Sequence, residues 1–299
     1  MRVDPYYVTN LAGALDQTQA SEDQLSNELS SGVRVNQLSE DPVAAGQNVL
    51  LLNQIEKDDT FTQTSSLVQG QLQVTDSALG AVVTQLTQAV SLATSGNNGT
   101  LNQSQLQSIA NQLSGIRDEV LSLANSSYQG QYIFAGQQTS TAPFSLSNAT
   151  TPAATTYNGD SGVNSLETPN GQTIQLNLPG DQIFTAGGSN DVFAALNKAI
   201  ADFSSGASPA ATVADTQALD TALNFVSQQR VTLDNSLTRL TSASDAVTGE
   251  QLQLTAAQTA LMQADLPTIA TQLSLVKTQQ AALEAVIGQI GSGSLFDKL

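Results

Sequence analysis

Cysteine, histidine and tryptophan do not occur in this chain of 299 residues, and cations are scarce, nine Lys and Arg against 26 Asp and Glu. Without Cys there are no disulfides and no thiol nucleophile. Without His, imidazole acid–base chemistry and the usual zinc ligand sets are excluded. A formal net charge of −17 argues against nucleic acid as a partner, because phosphates are bound by clustered Lys and Arg, and equally against anionic membrane surfaces. No run approaches the roughly 20 apolar residues of a membrane span. Met1-Arg2-Val3-Asp4-Pro5 lacks the basic segment and apolar run of a cleavable secretory signal, so none is expected. Aromatic residues are 4% of the chain, which leaves Leu, Val, Ala and Ile to form the core. Charged residues are only 12%, well below the usual quarter, and lightly charged Ala/Gln/Thr-rich helices often bury faces against other chains.

What the chain has is helical periodicity. Leu219, Val226, Leu233, Leu240, Val247, Leu254 and Leu261 recur every seventh residue, with Ala222, Gln229, Ser236, Ala243, Glu250 and Ala257 between them. The spacing predicts a coiled-coil-type helix over about 213–263, with Gln229 and Glu250 as polar register marks on its seam. Near Asp265-Leu266-Pro267 the register slips, Asp265 being a candidate cap, and a new stripe follows through Leu266, Ile269, Leu273, Val276, Gln280, Leu283 and Ile287. At the other end Leu11, Leu15, Thr18, Glu22, Leu25 and Leu29 keep the same three/four spacing. Val68, Leu72, Thr75, Leu79, Val82, Leu86 and Ala89 form a further heptad stripe, and Leu106, Ile109, Leu113, Ile116, Val120 and Leu123 another, on a helix over about 103–128. Between 131 and 185 the period becomes two, as in Thr173-Ile174-Gln175-Leu176-Asn177-Leu178, among turn signals such as Asn158-Gly159-Asp160 and Pro179-Gly180-Asp181. A short amphipathic helix is expected at 191–203. The expected fold class is α+β: a long coiled-coil-like helical bundle built from both chain ends, with a small central β-rich domain. The segments are 1–137, 138–204 and 205–299.

Carboxylates are the only conspicuous catalytic groups. Asp160, Glu167 and Asp181 could supply a two-carboxylate hydrolase in the β region; the alternative is turn chemistry, since Asp160 and Asp181 each follow Gly. Glu40-Asp41 and Glu56-Lys57-Asp58-Asp59 lack the oxygen-ligand spacing of a calcium loop. No catalytic, cofactor or metal residues are assigned.

The most informative segment is Leu29-Ser30-Ser31-Gly32-Val33-Arg34-Val35-Asn36-Gln37-Leu38-Ser39-Glu40-Asp41-Pro42-Val43-Ala44-Ala45, a polar break between helices that carries one of the nine cations. It resembles the N-terminal signature of the flagellin superfamily. Its Ser-Glu-Asp-Pro-Val-Ala-Ala ending is similar to that of the superfamily's hook–filament junction members, whereas filament flagellins usually continue Asp-Asp-Ala-Ala-Gly. Tyr128-Gln129-Gly130-Gln131-Tyr132-Ile133-Phe134-Ala135-Gly136 and the ending Leu295-Phe296-Asp297-Lys298-Leu299 are similar to two further segments of that family.

The resemblance implies a structural protein, not an enzyme, exported unfolded through the flagellar type III channel and located outside the cell at the hook–filament junction. The implied partners are copies of itself in a ring, the adjacent hook-associated protein, flagellin, and an export chaperone on the C-terminal helix. Arg34, Asn36, Glu40, Asp41 and Pro42 would form a subunit-interaction loop, with Arg34 paired either across subunits or locally to Glu40 or Asp41. Leu11, Leu15, Leu25, Leu273, Val276, Leu283, Ile287, Leu295 and Phe296 would lie on terminal helices that order and pair on assembly. A filament-forming flagellin and, from another class, a carboxylate-dependent cell-wall hydrolase are the alternative functions.

Overall fold

A computed structural model describes residues 6–97 and 99–292. Among these residues six α-helices and six short strands follow one another: α1 (Tyr7–Ser31), α2 (Pro42–Gly96), α3 (Gln103–Ala124), β1 (Ser127–Tyr128), β2 (Gln131–Tyr132), β3 (Phe144–Ser147), β4 (Ala154–Tyr157), β5 (Ser165–Glu167), β6 (Thr173–Gln175), α4 (Val192–Ser205), α5 (Pro209–Met262) and α6 (Leu266–Ser292). The chain divides into two compact units, residues 1–57 with 249–299 and residues 58–248. The first unit contains α1, α6 and the adjoining ends of α2 and α5. The second contains everything between.

Local chemistry sets the helix ends. α1 stops where Gly32 takes a left-handed conformation and returns its N–H to the Glu28 carbonyl. α3 starts on a reciprocal capping box between Asn102 and Gln105. Asp191 caps α4, accepting from the Ala194 N–H, and left-handed Gly206 ends it. At the start of α6 Asp265 accepts from the Thr268 hydroxyl at 2.7 Å.

In the second unit the heptad stripes are buried as the periodicity implies. Leu72, Leu79, Val82 and Leu86 of α2, Leu113 and Val120 of α3, and Leu219, Val226, Leu233, Leu240 and Val247 of α5 belong to one core. In the first unit the α5 stripe continues only half-buried through Leu254 and Leu261. Glu250 is solvent-exposed and is not the polar seam residue that the heptad suggests. Apolar burial in the first unit is small, comprising Val35, Ala44, Ala264 and Ile269 among the described residues.

The β region is three separate antiparallel hairpins, β1–β2, β3–β4 and β5–β6. Tyr128 ends up in β1, so α3 closes at Ala124 instead of reaching 128. The β1–β2 turn places Gln129 and Gly130 at positive φ, as a tight two-residue hairpin turn requires.

The expectation of a wholly aliphatic core fails here. Phe134, Phe144, Phe184 and Phe193 are buried against one another, with the Phe134–Phe184 and Phe144–Phe184 rings edge to face at 5.2 and 5.4 Å. The few aromatics are concentrated where short strands cannot bury enough aliphatic area, and they lay α4 against the hairpins. Tyr157 packs on Phe144 and donates its hydroxyl to the Phe134 and Asp160 carbonyls. Burial, with the nearby Asp181 charge second, pushes that hydroxyl up to about 12.

Two substitutions check this packing. A Cβ on Gly96 would lie 2.3 Å from the Phe203 ring, whereas one on Gly115 in α3 would meet nothing within 4 Å. Gly96→Ala is expected to destabilise the second unit by about 1–3 kcal/mol through overpacking. Gly115→Ala should stabilise it by about 0.5–1 kcal/mol through helix propensity. Thermal unfolding of both variants reads the contrast. Tyr157 also makes stability fall in alkali. Its folded-state value is raised, so the contribution is full below about 10 and lost as pH rises toward about 12. Tyr157→Phe should remove that alkaline dependence.

Candidate functional site

Four helix ends meet in the first unit at residues 30–45 and 258–269. The loop leaving α1 runs beside the end of α5: Val33 and Gln263 form an isolated antiparallel bridge, the Arg34 N–H donates to the Met262 carbonyl at 2.7 Å, and the Ala264 N–H donates to Gly32 at 3.0 Å. The Met262 carbonyl is one of the last four of α5, which have no partner within their own helix. The loop therefore satisfies a helix terminus as well as its own backbone.

Arg34 extends this with its side chain. One guanidinium nitrogen donates to the Leu261 carbonyl at 3.2 Å, and both terminal nitrogens donate to Asp41 Oδ2 at 3.2 Å. A fixed positive charge at the carboxyl end of a helix is also favoured by the helix dipole. Asp41 is itself the cap of α2: its Oδ1 accepts from the Ala44 N–H at 2.9 Å, and Pro42 fills the first helical position, where no N–H is required. Arg34 thus ties the end of α5 to the beginning of α2. The bond from the Ala44 N–H, followed by Arg34, holds the Asp41 carboxyl below the usual carboxylate range.

Glu40 serves the turn rather than the guanidinium, its Oε2 accepting from the N–H groups of Asn36 at 2.6 Å and Gln37 at 3.0 Å. The Asn36 amide donates back to the Val33 carbonyl at 3.0 Å. Arg34, Asn36, Glu40, Asp41 and Pro42 are therefore brought together, and the Arg34 ion pair is local. Farther along the two helices the Gln258 amide donates to Asn48 Oδ1 at 3.0 Å.

The terminal helices α1 and α6 pack along each other. Leu11, Leu15 and Leu25 of α1 and Leu273, Val276, Leu283 and Ile287 of α6 are half-buried, each stripe covered on one side only. Lys277 reaches Glu22 across the pair at 3.7 Å. Glu28 is buried beside Gln24, and Leu29 and Leu266, which the spacing places on the stripes, are exposed. Leu295 and Phe296 lie outside the described residues.

The carboxylates weighed for hydrolysis have other work. Asp160 Oδ1 accepts from the N–H groups of Gln137 and Gly162, both at 2.8 Å, in a turn that Gly136 approaches at positive φ. Asp181 Oδ2 accepts from the Ser161 hydroxyl, and Glu167 is exposed on β5.

Reading the sequence missed the cations of the second unit. Arg117 of α3 is buried and reaches Asn197 of α4; Lys198 of α4 reaches Asp215 of α5; Arg230 of α5 clasps Asp76 of α2 through two bonds of 2.6 and 2.9 Å; Arg239 of α5 donates to the Thr173 carbonyl of β6. Their rarity in an acidic chain was the available signal, since each has many possible partners but a unique position. Among the described residues no group of three or more acidic side chains is arranged to hold a metal ion, and no helix is long and apolar enough to cross a membrane.

Residues 7–139 match the family model for the bacterial flagellin N-terminal helical region. The chain is 29% identical over 275 residues to the flagellar hook-associated protein 3 of Salmonella typhimurium, covering 83% of this chain and 84% of that one. The Escherichia coli protein of the same name is 28% identical over the same extent. Among solved structures, a flagellar hook-associated protein from Vibrio parahaemolyticus superposes with a TM-score of 0.66 at 21% identity, covering 74% of this chain and 99% of that one. Flagellar hook-associated protein 3 from Legionella pneumophila gives 0.63 at 15% identity, covering 71% and 98%. At these identities the structures speak for the fold.

Asp41→Asn isolates the ion pair, because Asn still accepts from the Ala44 N–H. It should leave helix content unchanged at pH 7 yet speed proteolytic cleavage within residues 30–45. Since the Asp41 value is lowered on folding, its contribution is present above the ordinary carboxylate range and is lost as pH falls through the folded-state value. The two proteins should therefore become equally susceptible in acid.

Proposed function

We propose that the chain is a member of the flagellin superfamily and a structural protein of the bacterial flagellum, forming the junction between the hook side and the flagellin filament. Copies of the chain form a ring. One face of the ring meets the neighbouring hook-associated protein and the other meets the first flagellins. The protein reaches this place outside the cell through the flagellar export channel, accompanied by a chaperone on its C-terminal helix.

The observation that carries this reading is the incomplete burial of α1 and α6. Two helices packed side by side cover each other on one face only, and here the shared stripe of Leu11, Leu15, Leu25, Leu273, Val276, Leu283 and Ile287 stays half-exposed along its length. Leu275 is 59% exposed on a neighbouring face of α6. Burying apolar area contributes about 25 cal/mol per Å², so such a pair gains most of its stability when further copies close around it. In dilute monomer the pair opens, and it orders on assembly.

Support for a flagellin acting as filament subunit is weaker: Asp41-Pro42-Val43 follows the junction pattern, and the Salmonella typhimurium and Escherichia coli relatives are named flagellar hook-associated protein 3. A cell-wall hydrolase built on Asp160 has less to rest on, because that carboxylate already accepts from two backbone amides.

A strain lacking the protein should show hooks without filaments and flagellin in the medium; filaments of normal length and attachment would overturn the proposal. Leu273→Asp should leave the second unit folded by circular dichroism and thermal melting while abolishing incorporation at the hook tip. Limited proteolysis of the dilute monomer should remove the first 25 and last 30 residues and spare the joint at residues 30–45 and 258–269 together with the second unit. Equal protection of the first 25 and last 30 residues would rule out ordering on assembly.

A further inference from the structure

The connection from α4 to α5 is short, with Gly206 ending one helix and Pro209 beginning the next. A single ammonium shared by two carboxylates fastens the two helices. Lys198 Nζ lies 2.6 Å from Asp202 Oδ2 on its own helix and 2.6 Å from Asp215 Oδ1 on α5. The two acids sit in different surroundings. The Asp202 side chain is 25% exposed, whereas that of Asp215 is 1% exposed and its Oδ2 has no hydrogen-bond partner among the described residues.

With both acids ionised, one ammonium faces two negative charges, one of them buried with an idle oxygen. The charged groups facing Asp215 from α4 are Lys198 and Asp202; the end of α2 contributes the uncharged Asn97, whose amide donates to Thr216 at 2.9 Å. We infer that Asp202 and Asp215 form a carboxylate dyad that takes up one shared proton as pH falls and so tightens the joint between α4 and α5. The proton resides on Asp215, where it neutralises the buried charge and donates to the Asp202 carboxylate, while Lys198 keeps its bonds to both acids.

Electrostatics point the same way. Burial pushes the Asp215 carboxyl up, and the bond from Lys198 holds Asp202 down. A raised acid favours the folded chain when protonated, so the tightening is present in acid and is lost as pH rises through the Asp215 value. The lowered Asp202 acts oppositely and loses its stabilisation only at lower pH. The clamp therefore works between the two values. This inference does not depend on the functional reading above.

The test is a carboxyl-carbon NMR titration of the full chain labelled at Asp, with Asp215→Asn and Asp202→Asn assigning the signals. Asp215 is expected to titrate above the ordinary Asp value of about 3.9 and Asp202 below it. Asp215→Asn should melt at a higher temperature than wild type at pH 7.5, with the advantage shrinking as pH falls through the Asp215 midpoint that the titration reads. Asp215 titrating at or below the ordinary value would overturn the inference, as would an Asp215→Asn protein less stable than wild type at pH 7.5. The wild-type titration decides even if that variant misfolds. Lys198→Met, made on an exposed side chain, should move the Asp215 midpoint further up; an unmoved midpoint would contradict the shared site.

Discussion

The guanidinium of Arg34 holds together the ends of two helices that are far apart in sequence. Without it the last carbonyls of α5 lose a donor, and the N-cap of α2 loses the charge that its carboxylate faces. Both partners are partly exposed, and exposed ion pairs contribute little to stability. What the interaction supplies is register. The Arg34 and Ala264 amide bonds, the Val33–Gln263 bridge and the Arg34 bond to the Leu261 carbonyl can form together only when the α1 exit loop lies at one position along α5. That position sets where α1 ends and α6 begins, and hence which stripes meet.

The same logic runs through the rest of the chain. Arg117, Lys198, Arg230, Arg239 and Lys277 each reach from one element to another, so the scarce cations act as links between elements more than as surface decoration. Arg34 and Arg239 also donate to backbone carbonyls, a bond that the many carboxylates of a protein of net charge −17 cannot replace elsewhere. The heptads divide the remaining labour. In the second unit they close over a continuous apolar core; in the first they are left half-covered, with Val35, Ala44, Ala264 and Ile269 the buried apolar residues among those described. One part of the chain thus closes its own core, while the other leaves its stripes open on one side.

Helix positions and faces could be read from the sequence because helical period and apolar burial are local properties. Leu219 to Val247 are buried at the predicted spacing, and Asp265 caps α6 as its position before Leu266-Pro267 implies. The Ser30–Ala45 segment was identifiable for a different reason: it places a Gly, an Arg and an Asp-Pro step where two helices must stop and start. Properties that depend on nonlocal partners could not be read. Glu250 occupies a seam position in the repeat but faces solvent, because beyond Val247 the seam is only partly covered. The aromatic cluster joins residues from 134 to 193, and no periodicity announces it. Arg34 had several acids within reach in sequence. Only the fold shows Glu40 bound to backbone amides and Asp41 left for the guanidinium.

The register role of Arg34 is tested most directly by hydrogen exchange at the Arg34 and Ala264 amides in the wild-type chain and in Arg34→Met, which keeps the side-chain length without the charge or donors. Both amides should be protected in the wild type and should lose protection together in the variant, while the amides of α3 and α4 exchange as before. Unchanged protection at Arg34 and Ala264 in the variant would mean that the joint holds without the guanidinium and would contradict the account.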